Sequence, residues 1–461
     1  MTAPKRPPSV DALLRAAEGN LDGKDRTALA AVARDVVAEE RASLAAGRPT
    51  RTMGELVDAY LGRLRWLDDP LEGPRMYGLV PAINATGVIL HTNLGRASWP
   101  WAAINAAVNA AAVPSLLELD PTTGRRGRRF RGVEDDVVAL TGAEDALVTN
   151  NNAAAVALAV GLAGRAGVAV SRGELVEIGG GVRIPEVVRR AGARLIEVGT
   201  TNRTRVSDFE AVLADGRAKL VLRVHPSNFS QTGFVESPDP AALAEVAHRH
   251  GAIVVDDLGS GALLDTAQFG LAHEPMPSER LAAGADIVSF SGDKLVGGPQ
   301  AGIIAGRADL VERLRKDPLA RAMRPDKLIL AALAATLRLY RSGEAQAEIP
   351  IWRQIGAPVA DLEARACAIA EAMSDGKVRA APIESTIGGG SLPGQTLPSW
   401  AVAVDADRAT ELATALRGGT PVVIGRIVEG AVMLDLRTVD PDDDQILQTT
   451  LRGALAASPG T

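Results

Sequence analysis

The chain has 461 residues, 50 Lys plus Arg against 56 Asp plus Glu, a formal net charge of −6, and 46 % hydrophobic residues. This composition supplies ample core and excludes global disorder, and Gly (47) and Pro (27) scattered without period exclude a collagen-like repeat. A single cysteine, Cys367, excludes a disulfide framework and a cysteine zinc cluster, and the acidic balance argues against DNA as a partner.

The opening MTAPKRPPSVDALLRAAEGN has no apolar secretory segment. No run of about 18 apolar residues marks a membrane span. A cytoplasmic protein is therefore expected. Residues 1–52 read as a small helical unit, because VDALLRAAEGN and DRTALAAVARDVVAEERASL both repeat apolar residues at helical spacing. Asp25 is placed to cap the second helix. Residues 53–80 read as a linker: the helix MGELVDAYLGRLRWL, then the Pro/Gly-rich DDPLEGPRMYGLVP.

From 81 to 328 the pattern alternates. The β-rich runs DALVTN, GVAVS, RLIEVG, KLVLRVH, AIVVDD, DIVSFS and AGIIAG are separated by helical stretches such as RIPEVVRRAG and DPAALAEVAHRHG. Such alternation predicts an α/β layer fold with a mostly parallel central sheet, with ligands at the carboxyl ends of the strands. Residues 329–461 open with the helix LILAALAATLRLYRSG. The strand SWAVAVDAD and the strand pair PVVIGRIVEGAVMLDLRT follow, each with a helix, which predicts a smaller α+β domain.

Strand ends carry the chemistry. Six of the seven lysines sit in ordinary turns and helices; Lys294 instead follows DIVSFS in SGDKLVGGPQAG, where small neighbours leave room for a planar group. Ser291, three residues earlier, can share a phosphate with nearby backbone N–H groups. Asn150, Asn151 and Asn152 in TNNNAAAVAL stand at a strand-to-helix junction, a place for an anion or for plain capping. VVDDLGSG ends a strand with Asp256 and Asp257, and alternation turns only one of them into a pocket. A carboxylate there can pair with a pyridine nitrogen. Phosphate loop, carboxylate and lysine in this order fit pyridoxal phosphate better than any one of them does alone. Arginine supplies oxyanion forks: Arg96 in HTNLGRA, Arg321 and Arg324 in LARAMRPDK, and five between Arg125 and Arg131 in TGRRGRRFRG, the last suited to a solvated loop or an RNA backbone. None of the five histidines has metal-ligand spacing, so no metal site is expected; His225 stands at a strand end.

NATGVILHTNLGRA, NNNAAAVAL, SRGELVEIGGGVRIPEV, EVGTTNRT, DLGSG, SFSGDKLVGGPQAGI and the closing VIGRI…LDLR together resemble bacterial selenocysteine synthase, the L-seryl-tRNA(Sec) selenium transferase family. PPSVDALL extends the resemblance to nearly the whole chain. It implies a fold-type-I PLP-dependent transferase in which Lys294 holds the cofactor, Asp257 faces its ring nitrogen, and Asn151, Asn152, Ser291, Thr200, Thr201 and Asn202 help to bind it. Arg96, Arg321 and Arg324 would hold selenophosphate. The resemblance further implies a tRNA-binding unit at 1–52, a core at 81–328, a C-terminal domain at 329–461 and a homodecamer built from dimers. The expected reaction converts seryl-tRNA(Sec) to selenocysteinyl-tRNA(Sec) through a dehydroalanyl-tRNA intermediate. The alternative is a PLP lyase for a small amino acid or amino-sugar acid, which needs no tRNA-binding unit.

Overall fold

The computed structural model describes residues 6–17, 26–45, 49–68, 79–178, 181–226 and 229–457. Asp25 and the turn at 69–78 lie outside the described residues.

The seven β-rich runs form the seven strands of one sheet: β1 (Asp145–Thr149), β2 (Gly167–Ser171), β3 (Arg194–Val198), β4 (Leu220–Val224), β5 (Ile253–Gly259), β6 (Ile287–Ser291) and β7 (Gly302–Gly306). Their order across the sheet is β1-β7-β6-β5-β4-β2-β3. Pairing is parallel from β6 to β3, and β7 alone runs against both its neighbours. β2, β6 and β7 are buried at every position, which is why they read as continuous small and apolar runs rather than alternating ones.

Helices cover both faces. Arg131–Thr141 and Lys327–Arg341 bury Val133, Val137, Leu333 and Leu337 with Phe290 of β6. Asn152–Val160 and Ala308–Lys316 bury Val156, Leu158, Leu310 and Leu314 on the other side. Two of these four helices begin with side-chain caps that take the free N–H groups of the first turn. Asn151 accepts from Ala154 N at 2.9 Å. Asp326 accepts from Leu328 and Ile329 N at 2.8 and 3.0 Å.

A second, five-stranded sheet runs Arg426–Val428, Ala431–Asp435, Thr396–Asp405, Val378–Gly388, Val88–Leu90. Its last strand comes from the chain ahead of the central sheet and pairs in parallel, Thr386 opposite Val88 and Gly388 opposite Leu90. Fully buried Asp435 ties the sheet together, accepting from Ser385 Oγ at 2.8 Å and Ser399 Oγ at 2.6 Å. Gly87 passes so close that a Cβ there would lie 2.0 Å from Asp435 Oδ2.

Contacts divide the chain into two compact units, residues 1–83 with 420–422, and the remainder. In the first, helices Val10–Ala16, Arg26–Ala45 and Met53–Asp68 bury Leu13, Val36, Leu56, Tyr60 and Leu64 against one another. The helix expected to begin a linker is thus one wall of this bundle. Its buried Glu40 is matched by Arg51 Nε at 2.6 Å. Residues 329–419 and 423–457 pack within the second unit.

Candidate active site

Lys294 lies in the connection between β6 and β7. That connection is pinned by Gly292 N to Ala301 O, Leu295 N to Ser260 O and Gly298 N to Gly292 O, each at 2.9 Å. The lysine is only 6 % exposed, and its Nζ donates to Gly390 O at 3.3 Å. Gly390 has φ +90°, and a Cβ there would meet Nζ at 2.4 Å, so glycine is what lets the backbone lie against the amine. Burial drives the Lys294 pKa below its ordinary value, with a smaller push from Arg96 and an opposing pull from Asp257.

Asp257 is the last residue of β5 paired with β4 and is 2 % exposed. Its Oδ1 accepts from Asn152 Nδ2 at 2.8 Å and Ser289 Oγ at 3.1 Å. Burial raises its pKa; the two hydrogen bonds and Lys294 oppose that rise without cancelling it. Asp256 points to the opposite face, toward Arg280 Nε at 3.7 Å. Strand alternation therefore decides which of the two carboxylates faces the lysine.

Both groups line one cavity of about 240 Å³, together with Arg96, Asn151, Asn152 and Ser291. Asn151 is spent on capping. Asn152, one residue on, reaches the carboxylate instead and leaves its Oδ1 buried without a partner. Arg96 stands at φ +64°, and its Nη1 binds Asp293 Oδ2 at 2.7 Å, which leaves the rest of its fork for an anion.

Other expected site residues lie elsewhere in the chain. Thr201 and Asn202 line a neighbouring cavity with Arg223 and Asp256. Thr200 turns its hydroxyl to Arg203 O at 2.9 Å. Arg324 lines a third cavity with Arg126, Arg128 and Arg129, its Nη1 3.5 Å from Glu118 Oε1, and Arg321 is exposed on the helix Pro318–Ala322. The five-arginine run divides its partners. Arg126 and Arg129 pair with Glu118, Arg128 with Glu134 and Asp145, and Arg131 with Asp135.

Asp293 and Gly390 belong to the site but did not stand out in the sequence. Asp293 was legible in principle as the residue before Lys294. Gly390 reaches the lysine from a strand end 96 residues away, where only pairing in the second sheet brings it.

The cavity fits pyridoxal phosphate. It holds a buried amine, a buried carboxyl for a ring nitrogen, an unpartnered Asn152 Oδ1, and the free N–H groups of the helix Asn152–Val160 beside Ser291 for a phosphate. Among the described residues no cluster suits a metal ion. Fold and pocket thus define an enzyme of the fold-type-I PLP-dependent class. The solved structure of D-glucosaminate-6-phosphate ammonia-lyase shares the fold at a TM-score of 0.57, with 23 % identity, over 82 % of this chain and 96 % of that one.

Within that class the chain belongs to the L-seryl-tRNA selenium transferase family, whose model matches residues 82–440. The L-seryl-tRNA(Sec) selenium transferase of Hyphomonas neptunium is 45 % identical over 97 % of this chain and 98 % of its own length. That of Moorella thermoacetica is 47 % identical over 82 % of both. That of Rhizobium meliloti is 41 % identical over 97 % of both. No helix among the described residues is long and apolar enough to cross a membrane.

Proposed function

We propose that this protein converts L-seryl-tRNA(Sec) to L-selenocysteinyl-tRNA(Sec), with selenophosphate as donor and pyridoxal phosphate as cofactor, in the cytoplasm. The observation that carries this reading is the buried Lys294–Asp257 pair facing one cavity with Arg96 at its wall, in a chain of this family.

Lys294, Asp257, Asn152 and Ser291 would hold the cofactor, which when bound supplies an electron sink at the substrate's α-carbon. Asp257, fixed through Asn152 and Ser289, is positioned to keep the ring nitrogen protonated. A protonated ring nitrogen beside it would counter the effect of burial and favour the ionised carboxyl. Burial lowers the pKa of Lys294 and so favours its neutral amine, and Nζ can take the α-proton of the seryl group and return it. Loss of the β-hydroxyl as water, addition of the donor's selenium to the β-carbon, and cleavage of its Se–P bond by water to release phosphate complete the exchange. Arg96, oriented by Asp293, offers its free N–H groups to the donor's phosphate oxygens. Arg321 and Arg324 lie outside the Lys294 cavity of their own chain, and this reading gives them to the donor at the site of a second copy in a homodecamer built from dimers. The helical bundle at the N-terminus is assigned to the body of the tRNA, and Thr200, Thr201 and Asn202 to its acylated end.

Single-turnover conversion of seryl-tRNA(Sec) with selenophosphate, with free serine run in parallel, tests the reading. Selenocysteinyl-tRNA formed from the charged tRNA alone is expected. Turnover of free serine or another small amino acid, with none of the tRNA, would move the chain to the small-molecule lyases.

A further inference from the structure

The cavity beside the Lys294 pocket, about 290 Å³, is formed by the carboxyl ends of β2, β4 and β5 and the turn after β3. His225, the residue after β4, lines both cavities, so the two spaces meet at one imidazole. Asp256 and Asp257 divide between them by alternation, one to each.

Its inner wall is polar and incompletely satisfied. Arg223 Nε donates to Glu174 at 2.9 Å, but Arg223 Nη1, Arg280 Nε and His225 Nδ1 are buried without a hydrogen-bond partner. Phe229 and Arg203 also line the cavity. Phe234, next in the chain to the lining residue Val235, is 83 % exposed, and the Arg203 guanidinium lies 6.0 Å from its ring centroid. The backbone around this ring is held firmly. Asn202 Nδ2 donates to Phe234 O at 2.7 Å, and Thr204 N and Glu236 N bridge the two segments at 2.9 Å each. An anchored backbone therefore presents a phenyl ring to solvent where no packing in this chain requires one.

An exposed aromatic ring with an arginine beside it, next to a cavity that holds unsatisfied polar groups, is how proteins hold an unstacked base. The proposed substrate brings one: a tRNA carries its amino acid as an ester on the ribose of its terminal adenosine, so a purine nucleoside must sit directly beside the reacting carbons. We infer that the second cavity receives this terminal adenosine, the base against Phe234 and Arg203 and the ribose toward His225, so that the seryl group crosses to Lys294. The inference rests on the function proposed above.

The test is equilibrium binding of uncharged tRNA(Sec), ending in its adenosine or shortened by that nucleotide, to the full-length protein. For the unmodified protein, removal of the adenosine should weaken binding on the order of tenfold, the scale of one base–aromatic stack. In Phe234→Ala and Arg203→Ala the loss should shrink to less than about twofold, while Phe234→Tyr, which keeps a π-face, restores it. Both side chains are exposed, so the fold stands without them. Variants that discriminate as strongly as the parent would overturn the subsite. Equal binding of both RNAs by the parent would also overturn it while leaving the proposed function intact. Binding of neither RNA would remove the function itself, and the subsite with it.

Discussion

Gly390→Ala tests whether the lysine is positioned by close approach of the backbone. Two costs are separable. At φ +90° an alanine is strained by about 1–2 kcal/mol. Its Cβ would also fall 2.4 Å from Lys294 Nζ and 2.7 Å from Cε, the movable end of a long side chain. The lysine yields rather than the sheet, so the fold survives while the amine leaves its place. With an unfolding entropy of about 2.1 cal/mol/K per residue, 1 kcal/mol is worth about 1 °C in a 461-residue chain, so Tm should fall by only about 1–2 °C. Turnover should fall by at least about 100-fold, as expected when a reacting group is displaced by roughly 1 Å. Gly343→Ala is the control: φ is +79° there, with nothing within 4 Å of the added Cβ, so it carries the strain without the collision. The assay pairs thermal melting with single-turnover rate and cofactor content for both variants. Normal turnover and cofactor content in Gly390→Ala would refute the positioning argument.

Three further outcomes are expected. Asp257→Asn should abolish turnover yet stabilise the cofactor-free protein: the folded pKa lies above the ordinary 3.8, so this carboxyl's favourable contribution exists below that value and is lost as pH rises through the folded pKa. Melting of the cofactor-free proteins at pH 5 and pH 8 should show the variant's advantage growing with pH, and an advantage that shrinks would reverse the assignment. Arg315→Ala should cost about 3 kcal/mol in urea unfolding, because it strips buried Glu134 of a 2.6 Å partner and Asp145 of one at 3.0 Å; a loss under about 1 kcal/mol would mean water screens the network. Lys294→Ala should eliminate turnover and leave affinity for tRNA(Sec) within about twofold, measured by filter binding, since the amine is buried. Parallel loss of both would contradict a purely chemical role.

The central sheet was legible because its strands are short and apolar and mostly alternate with helical stretches, and because its candidate reacting groups sit at strand ends. Lys294, Asp257 and Asn152 were found by that rule. The choice between Asp256 and Asp257 needed the phase of one strand. Asn151 and Asn152 look alike in sequence, but the helix N-terminus gives one to Ala154 N and the other to Asp257. Thr201, Asn202, Arg321 and Arg324 carry suitable chemistry, yet their strand and helix ends open onto other cavities or solvent, and spacing along the chain does not report that. The strand Val378–Gly388 escaped notice because VRAAPIESTIG holds a proline, a glutamate and no clean alternation. With it went Gly390, which that strand delivers to the lysine.

The strand Val88–Leu90 finds its partner only when Val378–Gly388 has been made, about 300 residues later. At roughly 5–20 residues per second of synthesis, that edge waits some 15–60 s for its neighbour. Arg96 follows the early strand, Lys294 comes in between, and Gly390 closes the late one, so the pocket's wall is assembled out of the order in which its parts appear. The Gly390 contact that helps bury Lys294, and so lowers its pKa, is therefore acquired near the end of translation. A chain stopped before residue 378 would carry the lysine without its carbonyl partner, and the growing polypeptide has no finished reaction centre until its last quarter has emerged.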